Sequence, residues 1–334
     1  MKPRVFVVQP IMPRAAAALR EHAEVEIFES ERMISRDELK AGLRRSDFLY
    51  TLGDTPIDGD ILDANPDLKG IAAMTMITNV IDLEAATERG IPVTNIDHVI
   101  QTTTCDLTMA LILGLATRLV EADRFVRSGR FHQEQSMSFL WHSLPGKTIG
   151  LIGMGAIGTE IAKRCRAFEM EVLYTKRTRL REDEERALGV QWVGENDEII
   201  RRSDYVCLMV KYTPETHLMF GAREFALMKP TAFFVNTARG RLVDEPAMLA
   251  ALRDRRIAGA GLDVYWTEPP VGEPAPPEEL FKLDNVLLTP HIGSATWESR
   301  DQMAMLAAEN MIAMINGEAP PNLLNPGALQ VTKA

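Results

Sequence analysis

The sequence predicts an α/β protein built from two doubly wound parallel sheets. Three observations carry that prediction. Short β-branched runs alternate with helical patterns along nearly the whole chain, as strand–helix–strand units require. The alternation comes in two series, parted by a long helical stretch. At 334 residues the chain is long for one hydrophobic core.

In the first series, Val5–Val8, Val25–Phe28, Phe48–Tyr50, Ile71–Ala73 and Val93–Asn95 read as buried parallel strands. Pro13 opens the first helix, where its missing N–H costs nothing. Ser35 and Glu38 have the spacing of a capping box for the next. A long helix is expected from about Thr102 to Ser128. Leu107, Leu111, Leu115 and Leu119 give it one apolar stripe, and Gly129 ends it. The second series begins at Thr148. Its strands are Thr148–Ile152, Val172–Tyr174, Tyr205–Leu208, Phe233–Asn236, Gly259–Leu262 and Val286–Leu288, with a Pro-rich loop, Pro269–Pro277, before the last. A final helical run, Ala295 to Ile315, has no strand after it and needs a surface to cover. The expected organisation is therefore discontinuous. Residues 1–100 and 295–334 form one domain, and residues 101–294 are inserted as the other.

Net charge is −10 and is spread along the chain, which argues against general affinity for nucleic acid or anionic membrane. No stretch has the ~20 uninterrupted apolar residues of a membrane span. The N-terminal apolar run stops at Gln9-Pro10, too short for a secretory signal. Cys105, Cys165 and Cys207 form no Cys-x-x-Cys pair and read as small core residues. A cytoplasmic protein with no metal site is expected.

Gly153-x-Gly155-x-x-Gly158 follows the strand Thr148–Ile152 and opens a helix, Ala156–Phe168. Gly153 permits the tight turn, Gly155 lets backbone approach a pyrophosphate, and Gly158 allows close helix–strand packing. The phosphates would rest on free N–H groups of the first helical turn, at Ala156 and Ile157. This is a dinucleotide cradle. The ribose-reading position lies at the end of the next strand, where an NAD site carries Asp or Glu. Here the residues are Thr175-Lys176-Arg177-Thr178-Arg179, with no acid. Lys176 and Arg177 would attract a 2′-phosphate, so NADP is favoured, with NAD as the alternative.

Four stretches carry a resemblance to a known family. They are Gly150–Gly158; Val235-Asn-Thr-Ala-Arg-Gly-Arg-Leu-Val-Asp244-Glu245; Gly261-Leu-Asp-Val264 through Glu268-Pro269; and Thr289-Pro-His-Ile-Gly-Ser-Ala-Thr296. Cys105-Asp-Leu-Thr-Met-Ala-Leu fits as well. Together they resemble the NAD(P)-dependent D-2-hydroxyacid dehydrogenases, nearest to the glyoxylate/hydroxypyruvate reductases. The resemblance implies a flavodoxin-like substrate domain and a Rossmann cofactor domain. It implies hydride transfer to the carbonyl of a small 2-oxo acid, giving the D-2-hydroxy acid, in a homodimer.

By that resemblance Arg239 binds the substrate carboxylate and polarises the carbonyl. A guanidinium, planar and always charged, suits that task. His291 is the general acid of reduction, because imidazole can protonate the nascent alkoxide at neutral pH. Glu268 accepts a hydrogen bond from the other ring nitrogen and favours the imidazolium. Asp263 holds the nicotinamide amide, and Thr104, Thr237, Ala238 and Gly293 line the cofactor. Two features depart from the family. Its Gly-rich substrate loop is here Ala73-Met-Thr-Met-Ile-Thr-Asn-Val-Ile-Asp82, with Met76 and Ile77 in place of glycines. Its His-x-Pro is replaced by Met209-Val-Lys211, and Lys211 adds charge near the cofactor. Phe139-Leu-Trp141-His142 is a candidate interface segment, since interfaces favour Trp. The alternatives to an NADPH-preferring reductase are an NAD(P)-sensing protein of the corepressor type and a sibling dehydrogenase with an atypical substrate.

Overall fold

The computed structural model describes residues 2–30, 32–76, 78, 80–96, 102–133, 136–268 and 276–331. The chain divides into two compact units, Met1–Val99 with Thr296–Ala334, and Ile100–Ala295.

The first unit begins with β1 (Arg4–Val7), α1 (Pro13–His22), β2 (Glu24–Ile27), α2 (Arg36–Leu43), β3 (Phe48–Leu52), α3 (Gly59–Leu62), β4 (Gly70–Met74), α4 (Leu83–Glu88) and β5 (Val93–Thr94). The strands lie in the order β2-β1-β3-β4-β5, all parallel. Pro13 is at the first helical position of α1. Ser35 caps α2 with the expected reciprocal pair: its Oγ accepts the Glu38 N–H at 3.3 Å, and Glu38 Oε2 accepts the Ser35 N–H at 3.0 Å. A core of Phe6, Leu39, Leu43, Leu49, Ile61, Ile71 and Val93 covers one face of the sheet.

The second unit opens with α5 (Thr102–Thr117) and α6 (Leu119–Arg127). It continues through β6 (Thr148–Ile152), α7 (Ala156–Ala167), β7 (Glu171–Thr175), α8 (Glu182–Leu188), β8 (Val190–Trp192), α9 (Asn196–Arg202) and β9 (Tyr205–Leu208). It closes with α10 (Ala222–Leu227), β10 (Phe233–Asn236), α11 (Glu245–Arg253), β11 (Gly259–Leu262), α12 (Glu278–Phe281) and β12 (Val286–Leu288). The order is β12-β11-β10-β9-β6-β7-β8, all parallel. The chain starts in the middle at β6, runs outward to β8, then returns beside β6 and runs the other way. At such a reversal the loops diverge and open a crevice beyond the carboxyl ends of the strands. One core packs α5 and α7 on the sheet through Met109, Ile112, Ile161 and Cys165. The other packs α9, α10 and α11 on the opposite face through Ile200, Phe225 and Leu252. All three cysteines are buried, and none is in a disulfide.

After this unit the chain forms α13 (Trp297–Ile315), capped by Thr296 Oγ1, which accepts the Ser299 N–H at 3.1 Å. It belongs to the first unit and packs on α1 and β4, where the Tyr50 hydroxyl donates to the Ala304 carbonyl at 3.1 Å.

The structure corrects the sequence reading in three places. The single helix expected from Thr102 to Ser128 is two, bent by 63° at Arg118, whose φ is +53°. A left-handed residue costs a helix about 1–2 kcal/mol. Here Arg118 is held by a forked pair to Glu121, and its guanidinium lies 5.2 Å from the Phe139 ring centroid. The bend takes Leu119 off the apolar stripe and leaves it 62% exposed. Two elements were missed, α8 and β8. The first is acidic in its opening turn and carries no long apolar stripe, and the second is a three-residue edge strand. Among the described residues no single helix is long and apolar enough to cross a membrane, and no acid, His or Cys cluster would hold a metal.

Candidate active site

The glycine cradle lies where the sheet reverses. Gly153 follows β6 with φ of +108°, and a Cβ there would stand 2.5 Å from the Met209 carbonyl oxygen beyond β9. A side chain at Gly158 would press the Gly153 carbonyl at 2.8 Å. Gly155, at the N-cap of α7, is different: a Cβ would meet nothing within 4 Å. The structure thus keeps open space over the first turn of α7, where N–H groups lack intrahelical partners. That arrangement fits a dinucleotide pyrophosphate. Lys176 and Arg177, at the end of β7, and Lys211, past the end of β9, are exposed.

A dense set of side chains occupies the ends of β10, β11 and β12. Asn236, the last residue of β10, is buried and holds the following turn. Its Nδ2 donates to the Arg239 carbonyl at 2.9 Å, and its Oδ1 accepts the Ala238 N–H at 3.0 Å. A Cβ on Gly240 would fall 1.9 Å from the Tyr265 carbonyl oxygen, so only glycine lets these two loops approach. Burial pulls the Arg239 guanidinium below its usual pKa range, and the Glu268 carboxylate nearby pushes it back up. Arg239 keeps its charge at any physiological pH, but in a site with little water to screen it.

Glu268 is held by backbone: Oε1 accepts the Tyr265 N–H at 2.9 Å. Its Oε2 lies 2.8 Å from His291 Nδ1. A carboxylate can only accept, so Nδ1 carries the proton and Nε2 is left for a reactant. His291 itself has φ of +52°. Asp263, 1% exposed, braces that backbone. Its Oδ1 accepts from Thr289 Oγ1 at 2.6 Å and the Ile292 N–H at 2.8 Å, and its Oδ2 accepts the Gly293 N–H at 2.9 Å. The Tyr265 hydroxyl donates to the Thr289 carbonyl at 2.8 Å. Burial, with Asp263 and Glu268 close by, pushes that phenol well above its ordinary pKa, so it stays a donor.

The sequence-predicted residues fall into three groups. Arg239, Glu268, His291, Asp263 and Gly293 come together at the carboxyl end of one sheet, and Thr104 joins them through its hydroxyl, 3.3 Å from the Gly293 carbonyl. Gly153, Gly155, Ala156, Ile157 and Gly158 form the cradle, with Lys176, Arg177 and Lys211 on strand ends beside it. Two roles gain detail. Asp263, expected to hold the nicotinamide amide, accepts three bonds from the His291 loop, two on Oδ1 and one on Oδ2, which leaves Oδ2 one position for a ligand. The Thr237 hydroxyl turns inward to Thr108 Oγ1 at 2.9 Å, and the Ala238 backbone is engaged within its own turn, its N–H by Asn236 Oδ1 and its carbonyl by Arg239 Nη1 at 2.5 Å. Met76 belongs to the other unit, where it follows β4, is 47% exposed, and accepts Asn95 Nδ2 on its carbonyl at 3.4 Å. Ile77 lies outside the described residues. Sequence reasoning missed Asn236, Tyr265 and Thr289 as positioning residues. A strand ending in Asn two residues before Ala-Arg was the available signal for the first.

A doubly wound nucleotide-binding sheet with an arginine and a carboxylate-bound histidine at its carboxyl edge defines a nicotinamide-dependent oxidoreductase. Residues 109–293 match the model of the D-isomer specific 2-hydroxyacid dehydrogenase, NAD binding domain. The chain is 45% identical over 337 residues to a glyoxylate reductase of Thermococcus gammatolerans, covering 100% of this chain and 99% of the relative. Among solved structures, the TT0316 protein of Thermus thermophilus is 38% identical with a TM-score of 0.85, covering 96% and 99% of the two chains. An NADPH-dependent glyoxylate/hydroxypyruvate reductase of Sinorhizobium meliloti, in complex with NADP and malonate, is 30% identical with a TM-score of 0.78 over the full length of both chains. The chain belongs to the D-isomer specific 2-hydroxyacid dehydrogenase family. It is an oxidoreductase that uses a nicotinamide cofactor to reduce 2-oxo acids.

Proposed function

We propose that this protein is an NADPH-preferring reductase of a small 2-oxo acid, of glyoxylate or hydroxypyruvate size, that forms the D-2-hydroxy acid. The observation that carries the proposal is the His291–Glu268 pair at 2.8 Å, with the desolvated Arg239 close enough to feel the Glu268 charge. Arg239 binds the substrate carboxylate and draws electron density toward the carbonyl oxygen. His291 delivers the proton from Nε2 as that oxygen becomes an alkoxide, and Glu268 stabilises the imidazolium before transfer. The nicotinamide, when bound, supplies the hydride. Gly153, Gly155 and the first turn of α7 would hold its pyrophosphate, and Asp263 keeps the His291 loop in place.

Preference for NADPH rests on Lys176 and Arg177, which stand at the end of β7 with no acid between Tyr174 and Arg181. The glyoxylate reductases among its relatives support the substrate size. The α6 segment buries none of its residues, and Leu119, Val126, Leu140 and Trp141 are each more than half exposed. A homodimer that covers these side chains accounts for them, because apolar exposure on this scale marks an interface. Buried cysteines held as thiols suit a cytoplasmic setting.

The test is turnover of glyoxylate, hydroxypyruvate and longer 2-oxo acids with each cofactor. The expected result is a higher kcat/KM with NADPH than with NADH, and with the two small acids than with the longer ones. Equal or better use of NADH defeats the cofactor assignment, and preference for the longer acids defeats the substrate assignment.

A further inference from the structure

The turn that reads the ribose is held at both ends. At its start, the Thr175 carbonyl accepts the Gly153 N–H at 3.0 Å, which ties the turn to the glycine cradle. At its far end the chain meets a network centred on Glu185 of α8, a buried carboxylate. Glu185 Oε1 accepts the Tyr174 hydroxyl at 2.6 Å and Arg179 Nε at 2.8 Å, and Oε2 accepts Arg179 Nη2 at 2.7 Å. The Tyr174 hydroxyl in turn accepts the Leu180 N–H at 3.0 Å. The Arg179 guanidinium lies 5.2 Å from the ring centroid of Trp192 on β8.

Charge and sequence position alone would make Arg179 a third ligand for a phosphate. Its fork is instead spent on Glu185, and a bidentate pair stacked on an aromatic ring fixes its direction. The side chains of Lys176 and Arg177, between the two holds, are in no hydrogen bond or salt bridge among the described residues, and Arg177 feels only the longer-range charge of Glu215. Three residues of turn anchored on both sides have less freedom to lose when a ligand arrives.

We propose that Arg179, Glu185 and Tyr174 form a clamp that sets discrimination for the cofactor 2′-phosphate by presenting Lys176 and Arg177 at the crevice. The proposal rests on the NADPH preference argued above. In it Arg179 is a positioning residue, and Lys176 and Arg177 are the phosphate ligands.

The test is calorimetric titration of the full-length protein with adenosine 2′,5′-bisphosphate and with adenosine 5′-monophosphate, which differ by the 2′-phosphate. Glu185→Gln keeps the side-chain shape and removes the charge that holds Arg179. It should weaken the bisphosphate about tenfold, as expected for loss of one charge-assisted hydrogen bond. The monophosphate should shift by less than about twofold. Tyr174→Phe removes the hydroxyl that links Glu185 to Leu180 and should act in the same direction more weakly; it decides the matter if Glu185→Gln does not fold. In kinetics the KM for NADPH should rise while kcat moves little, which general loosening of the fold would not produce. Unchanged bisphosphate affinity in both variants overturns the clamp. So does tighter binding in Glu185→Gln, which would mean that Glu185 withholds Arg179 from the phosphate. Lys176→Ala with Arg177→Ala separates the two layers. If that double variant leaves the bisphosphate affinity unchanged, the NADPH reading falls and takes the clamp with it. If the double variant weakens binding and the other two do not, the clamp alone falls.

Discussion

The glycine cradle and the Arg–Glu–His cluster lie at the carboxyl edge of the same sheet, and they are built by opposite means. The cradle works by leaving atoms out. At Gly155 a Cβ would meet nothing within 4 Å, and the groups offered to a ligand are backbone N–H. The cluster works by filling space. Asp263 and Asn236 are buried, Tyr265 bonds both the Glu268 side and the Thr289 side, and Gly240 is a glycine because the Tyr265 carbonyl leaves no room. Binding a pyrophosphate needs unspent donors, whereas proton transfer needs one nitrogen held to within a fraction of an ångström. Gly155 and Gly240 are therefore glycines for contrary reasons, while Gly153 and Gly158, which shape the cradle from beneath, share the close-packing reason of Gly240.

The largest expected effect is at the cluster. His291→Asn should lower kcat by about 10²- to 10⁴-fold, the usual worth of general acid catalysis. NADPH affinity, followed by nucleotide fluorescence, should stay within about twofold, because the cradle is untouched. Near-normal turnover would remove His291 from the chemistry.

The paired glycines come next and test the comparison directly. Gly155→Val puts side-chain atoms into open space, so the thermal midpoint should hold while cofactor affinity falls by about 10- to 100-fold through displaced N–H contacts. Gly240→Ala should do the reverse. Its Cβ overlaps backbone, so the protein should lose about 1–3 kcal/mol of stability in a denaturant titration. If Gly155→Val destabilises as much as Gly240→Ala, the cradle is not the open surface described.

The smallest effect concerns Asp263. Asp263→Asn removes one acceptor from the His291 loop, and kcat should fall about tenfold with a smaller change in NADPH affinity. An equal fall in NADPH affinity, with turnover otherwise kept, would return Asp263 to the cofactor side of the site.

Most of the architecture could be read from the sequence, and the limits have physical causes. Strands β9, β10, β11 and β12 were predicted residue for residue because each is a short apolar run between polar turns. The bend at Arg118 was hidden because a helical period continues through it. What breaks the helix is one backbone torsion, stabilised by Glu121 and Phe139, and the second of these lies 21 residues away. The candidate site divides in the same way. Arg239, Glu268 and His291 were visible because their chemistry is written in residue types. Asn236, Tyr265 and the Arg179–Glu185 pair were not. They act through partners brought close by folding, and apart from the place of Asn236 at a strand end two residues before Ala-Arg, nothing in their local sequence marks them.

The left-handed backbone at His291 restricts what evolution or an engineer can place there. The proton transfer proposed for His291 calls for imidazole. The torsion independently favours the few side chains that tolerate positive φ, chiefly Asn, Asp and His, and penalises β-branched or bulky ones. Two unrelated filters pass the same residue. An alanine at this position would change chemistry and backbone strain together, so its phenotype would mix the two. Asparagine changes the chemistry alone, which makes it the cleaner probe and the substitution through which an inactive paralogue could arise without unfolding.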